Sequence, residues 1–355
     1  MLLPSIANAF FVTLIFMVAL QPLAHSVGLV DIPGGRKRHV GDVPIIGGIA
    51  MFLGLAIGLA LLPDNYPSMV FLVVASGLLV AIGVLDDKYG VPTAVRLVTQ
   101  LAAVLIMVFG ADLRVVDIGN PFGFGVIHLG PVSLIVTTLI TVSVINAFNF
   151  VDGVDGLAGT MALIALFSIA VVGGDQSPMA MTALVAAAAV LGFLHFNFPM
   201  NSSHKVRAFM GDAGSTIVGL FVVWVTTGVS QGPGAIATPV VCLWFVAVPV
   251  FDLFTCFVRR GLRGHSPFRP GRDHFHHILQ RCGMGVRTVL GVLTGLQVIY
   301  ALIGLVGHFA GVPDVVMFSA WAVLGVSQRL VIRRFAAMYR LMLRAKQSGD
   351  SALIR

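Results

Sequence analysis

Apolar runs long enough to cross a lipid bilayer recur along almost the whole chain. A hydrocarbon core needs roughly 20 apolar residues per helix, and cutting the sequence at its polar and Pro/Gly breaks gives about eleven such segments. They fall near 3–23, 44–62, 67–85, 94–110, 131–149, 157–174, 178–198, 213–231, 235–257, 288–309 and 312–330. Composition agrees: 57% of the 355 residues are hydrophobic and 10% are charged, against about 25% charged in a soluble domain. The predicted fold is all-α, a polytopic membrane-embedded helical bundle forming a single domain over 1–355, with a basic tail at 331–355. The first run has no basic n-region and no small-residue cleavage site, so it reads as a retained helix rather than a cleaved signal. Cys242, Cys256 and Cys282 show no paired spacing, which indicates neither a disulfide framework nor a zinc site.

Basic residues set the orientation. An odd number of spans puts the termini on opposite sides. With the N-terminus periplasmic and the C-terminus cytoplasmic, only Arg114 of the 22 basic residues falls outside. A pI near 9.8 is then explained by inner loops facing anionic lipid, with no nucleic acid required. All 15 acidic residues are aspartates. On the outer side they stand singly or spread out, as at Asp112, Asp117 and Asp314; on the inner side they gather in dense motifs.

Five motifs share that inner side. In GVLDDKYGV, residues 83–91, Asp86 and Asp87 are adjacent carboxylates that repel unless a cation is near; a solvated helix cap is the plain alternative. In NAFNFVDGVDGLAG, residues 146–159, Asp152 and Asp155 continue the spacing of Asn146 and Asn149. On a helical turn such a spacing places all four on one face, more than capping the next helix requires. In KVRAFMGDAGST, residues 205–216, Asp212 lies between glycines at the start of a span. A helix N-terminus with nearby cations suits a phosphate, and a lone carboxylate there suits Mg²⁺; an ordinary N-cap is the alternative. In the segment 259–281, His274, His276 and His277 sit among arginines, which reads as an anion clamp for a diphosphate. The basic loop 31–48, with Arg36, Lys37, Arg38 and His39, serves at least as a topology signal. Carboxylates for one metal ion, cations for phosphates and an apolar bundle open to lipid together suggest phosphoryl transfer between a soluble phosphate ester and a lipid.

These residues resemble the polyprenyl-phosphate N-acetylhexosamine-1-phosphate transferases. The LDD pair, the NAFNFVDGVDGL block and FMGDAGS stand in that family's order, and the likeness runs from about Asp31 to Arg287. The RKRH loop at 36–39, the SPFRPGRDHFHH loop at 266–277 and eleven rather than ten spans are most similar to its WecA-type bacterial branch. The related peptidoglycan enzymes carry three consecutive histidines where Phe275 here interrupts them, and the branch more often has isoleucine at that position. The resemblance implies transfer of N-acetylglucosamine 1-phosphate from UDP-GlcNAc to undecaprenyl phosphate. UMP is released, and lipid-linked envelope polysaccharide of O-antigen type is begun on the cytoplasmic face of the bacterial inner membrane. It implies Mg²⁺, with Mn²⁺ as a substitute, and a homodimer.

Carried onto this sequence, the resemblance makes Asp86, Asp87, Asp152 and Asp155 the catalytic carboxylates. Asp212 becomes the Mg²⁺ ligand, helped by Asn149 and Asp86. Asp155, Asn197 and Phe209 hold the uridine, Phe209 by stacking, and Asp152 faces the phosphates and metal. Arg96 contacts the diphosphate, and His274, His276 and His277 with Arg272 contact the sugar diphosphate. Arg38 and His39 align with the basic loop. A single in-line displacement and a double displacement through an aspartyl-phosphate on Asp152 or Asp86 both fit this set. So does another UDP-HexNAc or UDP-MurNAc-pentapeptide as donor. From a different class, a cation-coupled transporter also uses membrane aspartates and broken helices, but places them near the midplane. The segment Arg329 to Lys346 reads as basic and amphipathic, lying on the inner leaflet.

Overall fold

The computed structural model describes residues 2–32, 41–62, 67–174, 177–200, 207–232, 234–262, 264 and 274–348. Its helices are α1 (Leu2–Val27), α2 (Gly47–Ala60), α3 (Pro67–Tyr89), α4 (Thr93–Leu105), α5 (Ser133–Val151), α6 (Leu157–Gly173) and α7 (Pro178–Asn197). They continue as α8 (Gly211–Ser230), α9 (Pro239–Phe245), α10 (Ala247–Gly261), α11 (Phe275–Arg281), α12 (Val286–Phe309) and α13 (Asp314–Ser348). A π-helical turn, Ile106–Gly110, extends α4. The all-helical expectation is modified only by a two-residue antiparallel pairing of Val30–Asp31 with Val43–Pro44 and isolated bridges, among the described residues.

Among the described residues, 8 helices are long and apolar enough to cross a membrane, and the α9–α10 pair meets the same test jointly. The apolar helices α2 and α6 are shorter, at 14 and 17 residues. The protein is thus a polytopic helical membrane protein. Helix α8 is its central post: 83% of its span is buried, against 17% in α13 at the periphery. Helices α2, α3, α5, α6 and α7 pack around α8. In lipid such packing relies on small residues that let backbones approach. Gly219 of α8 lies against the Ile145 backbone of α5, where a Cβ would come within 2.6 Å of the Ile145 Cα. Gly83 of α3 lies against the Ala213 backbone at the first turn of α8.

Three expectations from the sequence change here. The run 235–257 is not one straight span: α9 and α10 meet at 88°. Pro249 has no N–H to offer the carbonyl of Phe245, so the helix breaks there. The freed backbone is satisfied by Gln297 of α12, which is wholly buried. Its Oε1 accepts from Val248 N at 2.9 Å, and its Nε2 donates to the carbonyls of Phe245 at 2.9 Å and Trp244 at 3.2 Å. Irregular backbone at membrane depth is tolerated only with such replacement partners. Second, the polar stripe stops where α5 stops. Asn146 and Asn149 are helical, but Asp152 is the C-cap residue and Asp155 lies in a turn closed by Gly156 at φ +77°, a conformation that favours glycine. Third, the basic segment from Arg329 continues α13 without a break to Ser348.

The polar residues at the opposite end serve the loops. Asp314 accepts from Asn120 N at 2.9 Å and Thr238 Oγ1 at 2.6 Å. Gln231 accepts from Val116 N and Asp117 N at 2.8 and 3.2 Å.

Candidate active site

The ends of α3, α5 and α8 and the start of α4 converge on one cluster of carboxylates. Asp86, in the last turn of α3, accepts from Val91 N at 2.6 Å through Oδ1. Its Oδ2 pairs with Arg96 Nη1 at 3.0 Å. The same guanidinium nitrogen reaches Asp212 Oδ2 at 3.4 Å. Asp212 Oδ1 accepts from Asn149 Nδ2 at 2.7 Å, and Asn149 also donates to Ser215 Oγ at 2.9 Å. Asp86, Arg96, Asp212 and Asn149 therefore form one chain of polar contacts linking four helices, and all four line a cavity of about 270 Å³. Its apolar wall includes Leu79, Ile82 and Leu97.

Asp87 points to a different task. Its carboxylate accepts from Asp212 N at 2.9 Å and Ala213 N at 3.4 Å, so a residue of α3 caps α8. Those amides, read from the sequence as a phosphate cradle, are occupied by Asp87. Asp212 is not the N-cap either; it lies inside the first turn and its side chain faces Asn149 and Arg96.

The loop after α5 closes the other side. Asp152 and Asp155 are half-buried there. Burial, then the charges of Asp212, Asp87 and Asp155, hold the Asp152 carboxyl well above the usual carboxylate range. Asn197, at the end of α7, is committed to backbone on both sides: Oδ1 accepts from Gly156 N at 2.7 Å and Nδ2 donates to Ala208 O at 3.0 Å. It clips the aspartate loop to the strand-like segment carrying Phe209. That segment bridges Ile45, with Phe209 N donating to Pro44 O at 2.9 Å, and the Phe209 ring is half-buried.

Residues 68–230 match the family model "Glycosyl transferase family 4". The chain is similar along most of its length to curated relatives named "Undecaprenyl-phosphate alpha-N-acetylglucosaminyl 1-phosphate transferase". That of Haemophilus influenzae is 33% identical over 322 residues, 90% of this chain and 91% of the relative. That of Salmonella typhi is 31% identical over 348 residues, 97% of this chain and 95% of the relative. That of Escherichia coli K12 is 31% identical over 346 residues, covering 97% and 94%. The chain belongs to glycosyl transferase family 4.

In this family 4 member the histidine segment lies under the aspartate loop. His276, 2% exposed, places Nε2 against Gly153, where a Cβ would clash, and that nitrogen has no hydrogen-bond partner among the described residues. Burial, then His277 and His274, push its pKa well below the ordinary histidine value. His274 stacks on His276 at 5.9 Å between ring centroids and lies 5.1 Å from the Phe150 ring. His277 is half-buried, its ring 4.1 Å from that of His276.

Sequence reasoning missed the residue that holds this layer. Asp252 of α10 is 2% exposed. Its Oδ2 lies 2.8 Å from His274 Nδ1 and its Oδ1 accepts from Phe275 N at 2.8 Å. One buried carboxylate therefore fixes both the His274 ring, through Nδ1, and the start of α11. The signal was present as a lone aspartate inside an apolar run, and intramembrane carboxylates are functional candidates by default. Gln100, bonded by Asn146 Nδ2 at 2.8 Å, was likewise unmarked. Arg38, His39 and Arg272 lie outside the described residues.

Two donor sets differ in chemistry. Asp86 and Asp212, paired with Arg96 and joined by Asn149, offer hard oxygen donors that suit Mg²⁺. Asp252, Cys256 and His274 also bring ligand atoms within 4.8 Å of one another. That set mixes sulfur and nitrogen, suits softer metals, and is drawn together by the Asp252–His274 bond itself.

Proposed function

We propose that this protein transfers N-acetylglucosamine 1-phosphate from UDP-GlcNAc to undecaprenyl phosphate. The products are undecaprenyl-diphosphate-GlcNAc and UMP, the opening step of a lipid-linked envelope polysaccharide of O-antigen type. The activity for which the relatives are named supports the substrates. The observation that carries the reading is the convergence of Asp86, Arg96, Asn149 and Asp212 at helix ends, beside an apolar wall. A cation-coupled transporter would hold such carboxylates near the midplane.

In this reading the chain crosses the bacterial inner membrane about eleven times, with α2, α6 and the bent α9–α10 pair completing the spans. The cluster faces the cytoplasm by the excess of basic residues on that side.

A phosphate oxygen of undecaprenyl phosphate attacks the β-phosphorus of the donor in line, and the bond to the UMP oxygen breaks. The acceptor is already anionic at neutral pH, so no strong base is needed. Asp86 is engaged with Arg96 and Val91 N, and Asp87 with the first turn of α8; both are positioning groups. Asp212, with Asn149 and Asp86, would hold Mg²⁺, and the bound ion would supply positive charge against the departing UMP phosphate. Arg96 presents the cluster's cation to the diphosphate, and the His274–His276–His277 layer approaches the sugar phosphate from beneath the aspartate loop. Phe209 offers its ring to the uracil, and Asn197 keeps the Phe209 segment and the Asp155 loop in register. Catalysis is then mainly positioning and electrostatics.

The test is UMP release by the purified full chain in detergent with undecaprenyl phosphate, Mg²⁺ and a panel of UDP-sugars. Release with UDP-GlcNAc is expected. It should fall about a thousandfold in Asp212→Asn, the equivalent of several kcal/mol of lost charge stabilisation, and vanish with chelator. Release only with a different UDP-HexNAc, or none with folded protein, refutes the assignment.

A further inference from the structure

Three side chains with ligand atoms converge outside the carboxylate cluster. Asp252 and Cys256 stand four residues apart on α10, so both project from one face of that helix. His274, the residue before α11, meets them there. Asp252 is 2%, Cys256 0% and His274 6% exposed. A carboxylate oxygen, the sulfur and a ring nitrogen lie within 4.8 Å of one another. Cys282 is closer to His274 along the chain, yet the fold brings Cys256, 18 residues away, to the ring.

The manner of convergence separates two chemistries. A nucleophile and an orienting carboxylate use opposite nitrogens of an imidazole. Here sulfur and carboxylate approach the same atom: Cys256 Sγ lies 3.5 Å and Asp252 Oδ2 2.8 Å from His274 Nδ1. Groups gathered on one side of one nitrogen are placed as ligands of a common centre. Tetrahedral Zn²⁺, with bonds of about 2.3 Å to sulfur and about 2.0–2.1 Å to nitrogen, sets those two atoms about 3.5 Å apart. The Asp252 oxygen need draw back only about 0.5 Å to complete the third corner. Its other oxygen accepts from Phe275 N at 2.8 Å, the outer hydrogen bond that ligating carboxylates carry.

We propose that Asp252, Cys256 and His274 form a binding site for one Zn²⁺, separate from the carboxylate cluster. The ion takes Asp252 Oδ2, His274 Nδ1 and the Cys256 sulfur, with water at the fourth corner. The thiol proton is released to solvent, and the neutral ring carries its proton on Nε2. Zn²⁺ with one carboxylate and one thiolate is formally neutral, which a buried position favours. Sulfur and nitrogen donors select this ion against Mg²⁺, which the oxygen donors of the other cluster suit. The route in is short: Phe150 lines the carboxylate cavity, and its ring lies 5.1 Å from that of His274. Bound zinc ties α10 to the histidine segment and stabilises that layer.

The experiment uses the purified full chain in detergent, stripped with chelator and then given Zn²⁺ or Co²⁺ in excess Mg²⁺. One zinc per chain should remain after dialysis, and the cobalt form should show a thiolate-to-metal charge-transfer band. Zinc should raise the thermal midpoint. Cys256→Ser, which keeps the volume, should lose the band and the thermal shift. It should weaken zinc by at least about a hundredfold, beyond the ten- to hundredfold typical of an outer partner. Cys282→Ser and Asp212→Asn should keep all three readouts. A wild-type cobalt spectrum without the thiolate band overturns the proposal, whatever the variants do. So does loss of the band in Cys282→Ser, or zinc kept in Cys256→Ser and lost in Asp212→Asn. None of these readouts requires UMP release, so this site and the proposed reaction stand or fall separately.

Discussion

At the residue scale, the site is a set of buried polar groups whose partners decide their roles. Asp252 shows this most directly. Replacing it with Asn keeps the volume but removes an acceptor from the Phe275 amide or the His274 ring. A buried group left unpaired loses about 1–3 kcal/mol, so kcat should fall roughly ten- to hundredfold. A positioning role predicts that kcat falls more than KM rises and that Asp252→Glu recovers part of the rate; steady-state kinetics on both variants read this. His276 sets a pH dependence. Its pKa is lowered in the fold, so below about 6.5 the unfolded chain binds more protons than the folded one. Its contribution to stability is full above that value and is lost as pH falls toward the lowered one. Thermal midpoints between pH 7.5 and 5.5 should therefore drop more steeply for the wild type than for His276→Gln; parallel curves would remove His276 as the cause. Residue identity alone already pointed to the carboxylates and histidines. The division of labour within the LDD pair was not legible, because it depends on α8 arriving beside α3.

At the element scale, helix ends do the work. Asp87 of α3 caps α8, and that contact requires the two backbones to touch at Gly83 and Ala213. Gly83→Ala places a methyl group against backbone, which cannot yield as a side chain can. Overpacking of this kind amounts to about 1–3 kcal/mol, and here it separates Asp86 and Asp87 from Asp212. The expected outcome is a folded protein with weakened Mg²⁺ activation, measured as a raised half-saturating Mg²⁺ concentration; unchanged Mg²⁺ dependence would show that the contact does not position the cluster. Periodicity located these helices because each apolar run had to satisfy its own backbone. It did not reveal the break before Ala247, since the partner that makes the break tolerable, Gln297, lies 49 residues from Val248 in sequence. Nor did it reveal that Asp152 and Asp155 leave the helix, which the loop glycines decide.

At the scale of the whole molecule, the reading of orientation is open to direct test. Phe124, 96% exposed in the loop before α5, and Leu262, 84% exposed after α10, fall on opposite sides of the proposed topology. In intact cells a Phe124→Cys variant should react with an impermeant thiol reagent, and Leu262→Cys should react only after permeabilisation. Labelling of both from one side would overturn the topology. Read along the chain, the residues already specify a bundle of membrane helices and mark the polar motifs at the helix ends from which the proposed chemistry is argued. Apolar length, basic-residue asymmetry and dense polar motifs are local properties, each enforced by the transfer of backbone and charge between water and lipid. Only the tertiary structure decided that Asp212 meets Asn149 and Arg96, that Asp87 is a cap, that Asp252 anchors the histidines, and that Cys256 lies beside His274. Those outcomes rest on contacts between residues far apart in the chain, whose distances follow from how the helices pack.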